Sequence, residues 1–286
     1  MLTILIAAGS AILVLLAGSL PWAGIGGFSG LGGWNLRVGT LVPWAIFPMA
    51  LYLWAYFGFI SGRWGASGAE VRRQNLLANR LSWKVWRAAL PAGVLGLGAI
   101  FMLLGVVARL VRLPAGSPIS APHGMPVVTM AVLLSMQSVV AGISEESAFR
   151  GYMQSIIGRR YGVTAAVLIS GTLFGLLHFP NHPGDVVPML PYYIAVSAVY
   201  GGLTWAANSI LPALVLHVCG DIAVLLRWWL TGRPEWQVGA VAQPLVWESG
   251  IDAPFVLAAL AAIALAAMTA VSYYLVRGNR LRSAAA

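Results

Sequence analysis

Apolar residues run through this chain in long blocks, at roughly 2–20, 38–60, 88–112, 126–143, 163–180, 188–207, 211–230 and 255–276. Polar residues are confined to the joints between them. A helix needs about 20 apolar residues to cross a bilayer. The pattern therefore predicts an all-α fold, a polytopic membrane helix bundle of about eight transmembrane helices. No repeat, linker or low-complexity tail divides it, so residues 1–286 are expected to form a single integral membrane domain.

Composition agrees with that reading. The chain is 59% hydrophobic and only 9% charged, where a soluble domain carries about 25% charged residues. The net charge of +9 comes from sixteen arginines and one lysine against eight acids. In a membrane protein such an excess encodes topology, not nucleic-acid binding. Eleven basic residues fall on one side if all eight blocks span: Arg63, Arg72, Arg73, Arg80, Lys84, Arg87, Arg159, Arg160, Arg277, Arg280 and Arg282. Five fall on the other: Arg37, Arg109, Arg112, Arg227 and Arg233. The positive-inside rule then puts both termini in the cytoplasm. Residues 1–20 lack a basic leader and read as a retained first helix. The Arg-over-Lys skew suggests a bacterial inner-membrane protein. Segment 66–87 reads as a basic amphipathic helix on the inner leaflet or as a solvated loop. One cysteine, Cys219, excludes an internal disulfide, and it reads as core.

The exceptions to the apolar pattern carry the chemistry. Glu145 and Glu146 end the block at 126–143, and charge at membrane depth points to function. The fourth helix is expected to run unbroken past them toward the turn at Arg159–Gly162. Glu146 and Arg150 are spaced i,i+4 and predict an ion pair. Glu145 points elsewhere and is the candidate reactive carboxylate. Phe174 lies one turn before His178, where its ring can fix the imidazole. Counted from the 159–162 turn, Glu145 and His178 lie about 22–25 Å deep, at one level. A glutamate and a neutral histidine can hold a water and take its proton. His217 and Asp221, again i,i+4, can stabilise an oxyanion. The same groups also allow a zinc site, with Glu145, His178 and His217 as ligands. His182 and Asp185 read as turn chemistry, His123 as a loop residue and Asn208 as a helix end.

Glu145-Glu146-Ser-Ala-Phe-Arg150, Phe174-Gly-Leu-Leu-His178 and His217-Val-Cys-Gly-Asp221, in that order on apolar helices, resemble the motifs of the CAAX protease and bacteriocin-processing family of intramembrane proteases, also called CPBP or ABI. The matching block, roughly 126–225, is about a third of the chain. The resemblance implies an eight-helix fold and a glutamate-type endopeptidase. Glu145 and His178 would activate water, His217 and Asp221 would stabilise the oxyanion, and Glu146, Arg150 and Phe174 would support them. The family's last motif ends in Asn in its eukaryotic branch, whereas this chain has Asp221. The family has also been described as metalloproteases, so the resemblance allows zinc beside a metal-free mechanism.

Three functions compete on these residues. The first is an endopeptidase acting on a membrane-anchored or lipidated peptide or protein, with the bilayer as its other partner and no nucleic acid. The second is a non-proteolytic scaffold or peptide-immunity protein of the same fold. The third is a transporter with a proton relay. Retention of every motif position argues against a scaffold. The lack of inverted repeats or broken helix pairs argues against a transporter.

Overall fold

The computed structural model of the chain describes residues 1–25, 42–119, 124–178, 185–238 and 243–285. His123, His182, Arg37 and most of the glycine-rich loop 21–37 lie outside the described residues. The described part is helical without strands. We number its helices α1 (Leu2–Ile25), α2 (Ile46–Ile60), α3 (Ala69–Leu76), α4 (Trp83–Leu110), α5 (Val127–Glu145), α6 (Gln154–Leu176), α7 (Val186–Ala207), α8 (Leu211–Thr231), α9 (Val246–Ser249) and α10 (Ala253–Ala285). A π-helical stretch, Glu146–Met153, joins α5 to α6.

Among the described residues, five helical stretches are long and apolar enough to cross a membrane: Leu2–Ile25, Trp83–Leu110, Val127–Leu176, Leu211–Thr231 and Ala253–Ser283. The chain is a multi-pass membrane protein. The 50-residue stretch Val127–Leu176 folds back on itself at Gly162, whose φ of 83° and ψ of 167° are not helical. A Cβ on Gly158 would sit 3.7 Å from that of Ala166. Eight residues of straight helix would hold them about 12 Å apart. The Phe149 and Phe174 rings, one on each arm, are 5.3 Å apart. The hairpin expected at 159–162 is therefore present.

Two expectations change. Of the expected span at 38–60, residues 38–41 lie outside the described residues, 42–45 are not helical, and the helix runs over the 15 residues Ile46–Ile60. Segment 66–87 holds only the eight-residue α3 before α4 begins at Trp83. Arg72 of α3 donates to the carbonyls of Phe59, Trp64, Gly65 and Ser67. It thereby satisfies backbone acceptors at and beyond the end of α2 that membrane burial would leave orphaned.

One core joins α1, α2, α5, the π stretch and the hairpin arm of α6, around Met49, Leu133, Phe149 and Phe174. A second joins α4, α7, α8 and α10, around Ala89, Leu203, Leu216 and Val276. The two meet where α5 packs on α8. There a Cβ on Gly142 would run into Val218. Glycine lets the helices close at this point, and that approach sets Glu145 and Glu146 against His217. Cys219 is exposed on the outer side of α8, not in the core as the sequence suggested. Its position lies two residues from His217 and so on a different helix face.

Candidate active site

The site begins where α5 turns into a π-helix at Glu146. The sequence suggested an uninterrupted α-helix, but the ladder here shifts to i→i+5 bonding. Such insertions cluster at functional sites. Glu146 and Arg150 still share one face. Arg150 Nη1 lies 3.2 Å from Glu146 Oε1, and both side chains are wholly buried. The guanidinium otherwise meets aromatic faces, with Phe174 at 4.4 Å and Tyr200 at 5.4 Å. Cation–π contact stands in for the hydrogen bonds that its buried nitrogens lack.

The Glu146–Arg150 pair also reaches a second helix. His217 Nδ1 donates to Glu146 Oε1 over 2.7 Å. That bond fixes the ring and turns Nε2 toward the open side of the site. Nε2 lies 3.4 Å from Asp221 Oδ2 and 3.7 Å from Glu145 Oε2. Tyr200 stacks on the other ring face at 5.1 Å and 9°. The residue that orients His217 through Nδ1 is thus Glu146. Asp221 stands on the Nε2 side beside Glu145.

His178 lies just past the end of α6. Its Nδ1 bonds the Phe174 carbonyl at 2.9 Å, so Nε2 is free for chemistry. The Phe174 edge packs on it at 4.9 Å, as the spacing predicted. The Tyr193 ring stacks on its face at 4.4 Å and 24°. Glu145, Phe174 and His178 stand between two cavities. One, of about 220 Å³, is lined by Ser19, Trp22, Gln137 and Ser144 from α1 and α5. The other, of about 260 Å³, adds His217, Asp221, Tyr193 and Tyr200, with an apolar wall of Leu97, Ile100, Phe101 and Leu104 from α4. The structure thus brings together Glu145, His178, His217 and Asp221, with Glu146, Arg150 and Phe174 supporting them.

Glu235 lines the second cavity too, and motif reading missed it. The segment after α8 reads in sequence as an interfacial loop with tryptophan anchors. The available signal was scarcity. Of eight acids, Glu70, Glu248 and Asp252 pair with Arg73, Arg112 and Arg109. Glu235 has no arginine partner among the described residues. Burial pushes its carboxyl up to about 7, an effect that His178 partly offsets.

Among the described residues, no three His, Cys, Asp or Glu side chains are gathered in a way that could hold a metal ion. Glu145, His178 and His217 line one cavity without forming a ligand cage.

No curated protein and no solved structure matches the chain. Residues 126–223, about a third of the chain, match the family described as Type II CAAX prenyl endopeptidase Rce1-like. The matched block bears all three motifs, and the matching family is the one that those motifs resemble.

Proposed function

We infer that the protein is an intramembrane endopeptidase that hydrolyses a peptide bond of a membrane-anchored or lipidated substrate. The observation that carries this reading is the meeting of Glu145 with the His217–Asp221 pair at 3.7 and 3.4 Å on the wall of a half-apolar cavity. The cavity with the α4 wall suits an apolar substrate segment. The one lined by Ser19, Gln137 and Ser144 suits water. Glu145 stands between them and takes the proton as water attacks the carbonyl. His178, with Nδ1 tied to Phe174, keeps Nε2 toward the same water. When protonated, His217 Nε2 is the donor for the tetrahedral oxyanion, and Asp221 steadies it. Glu146 and Arg150 keep the imidazole in register. In this reading the site opens to the cytoplasmic half of a cell membrane, with both termini inside, following the distribution of basic residues.

The test compares membrane peptides from cells that carry the wild-type chain with those from cells that carry Glu145→Gln. Peptides trimmed near a C-terminus only in the wild type support the reading. Identical profiles, with both proteins present at equal amounts, would reject it in favour of a scaffold of the same fold.

A further inference from the structure

The turn beyond α8 is built to hold one carboxylate in place. Arg227 reaches back from α8 and donates to the carbonyls of Pro234 at 2.8 Å, Glu235 at 3.4 Å and Gln237 at 2.9 Å. Trp236 is wholly buried, and its Nε1 bonds the Pro114 carbonyl at 2.8 Å. Gln237 Nε2 donates to Pro114 and Ala115 at 3.0 Å each. A surface loop does not need this density of bonds. Its effect is to present Glu235 to the cavity that holds His178. Tyr193 lines the same cavity, and its ring is the one stacked on His178. Burial disfavours a charged His178, and the Glu235 carboxyl in the same cavity partly offsets that.

We propose that Glu235 is a positioning residue for His178, holding the imidazole by its charge and through the Tyr193 ring so that Nε2 faces the reacting bond. The assignment rests on the protease reading only for what His178 then does. Glu235 lies outside the matched block 126–223. It also divides the work of the cavity. Glu145, on the α5 wall, accepts the proton of the attacking water. His178 Nε2 receives that proton from Glu145 and passes it to the departing amine as the C–N bond breaks, which returns both side chains to their starting states. The departing amine takes that proton, and the carboxylic acid product keeps the water oxygen. The titratable groups that share the cavity with His178 are Glu145 from α5, Tyr192, Tyr193 and Tyr200 from α7, His217 and Asp221 from α8, and Glu235.

The experiment uses the full chain in lipid nanodiscs with ring-¹⁵N histidine. Four histidines are present, and the His178 signals are assigned by their loss in His178→Gln. Ring shifts are followed from pH 5 to 9 in wild type, Glu235→Gln, Glu235→Asp and Tyr193→Phe. In the wild type, Nδ1 stays protonated and Nε2 titrates. In Glu235→Gln, the proton affinity of Nε2 should fall about tenfold or more, the effect of removing a nearby opposite charge. Glu235→Asp should retain part of that affinity. Tyr193→Phe keeps the stack but loses the hydroxyl, and should lower the affinity at least about twofold. It carries the test if Glu235→Gln does not fold. Unchanged His178 titration in the folded variants overturns the assignment. Cleavage of a prenylated peptide ending in three removable residues is measured alongside, with kcat expected to fall in Glu235→Gln and KM to hold. A chain that cleaves nothing while His178 still answers to Glu235 overturns the protease reading and leaves the positioning role standing. A working protease whose His178 ignores Glu235 does the reverse.

Discussion

Glu146 Oε1 stands 2.7 Å from His217 Nδ1 and 3.2 Å from Arg150 Nη1. One buried oxygen therefore joins the π-helical stretch to α8 and neutralises a buried guanidinium. Arg150→Ala leaves that carboxylate with only the imidazole. Breaking a buried pair costs about 3–5 kcal/mol. The folded fraction and the denaturation midpoint should drop together. Combining Arg150→Ala with Glu146→Gln should recover part of the loss, because the stranded charge is gone. Additive losses in the double variant would mean that the pair is not coupled.

Glu145→Gln keeps the shape of the side chain and removes the base. Removing a general base lowers turnover about 10²–10⁴-fold. The denaturation midpoint should hold, since Glu145 is partly open to the cavity, with 21% of its side chain accessible, whereas Glu146 has none. Turnover above a tenth of wild type would exclude Glu145 as the base.

The ion pair, the hairpin and the meeting of the motifs were legible in sequence because each follows from helical spacing or depth. Glu146 and Arg150, His217 and Asp221, and Phe174 and His178 are all i,i+4. Counting residues from the 159–162 turn placed His178 opposite Glu145. Cross-helix bonds leave no such trace. The Glu146–His217 bond depends on how closely α5 approaches α8 at Gly142, and the π insertion depends on packing rather than residue choice. Glu235 was illegible for a third reason. It reaches the cavity through carbonyl bonds from Arg227, and carbonyls are the same in every residue.

Acid should stabilise the wild type relative to Glu235→Gln. Burial raises the Glu235 carboxyl from 4.5 to about 7. The folded chain therefore binds a proton that the unfolded chain releases between those values. Its contribution is fully present below about pH 4.5 and is lost as pH rises to about 7. Melting temperatures of the two proteins, compared at pH 4.5, 6 and 8, should diverge across that window, with the wild type losing ground until about pH 7 and the gap constant above it. A gap that is the same at all three values would place the carboxyl in open solvent.

Membrane sidedness follows from the basic residues. In a Cys219→Ala background, Ser67→Cys and Ser283→Cys should react with an impermeant thiol reagent only from the cytoplasmic face. Ser117→Cys and Ser249→Cys should react only from the opposite face. All four positions are exposed. Cytoplasmic labelling at Ser249→Cys would invert α8 or α10 and break the expected arrangement of spans.

The geometry also bears on metal dependence. A zinc ion held by Glu145, His178 and His217 would need both histidines neutral, with a lone pair each, and would occupy the carboxylate proposed as base. His217 instead turns Nε2 between two carboxylates, Glu145 at 3.7 Å and Asp221 at 3.4 Å. With Nδ1 donating to Glu146, Nε2 is the nitrogen that would act, and the proposed role for it is as a donor between the two carboxylates. Purified protein, exhaustively chelated and assayed for metal content, should keep full turnover of the prenylated peptide. Loss of turnover that returns with one equivalent of Zn²⁺, and is absent in His217→Gln, would establish a metalloprotease and reassign Glu145 from base to ligand.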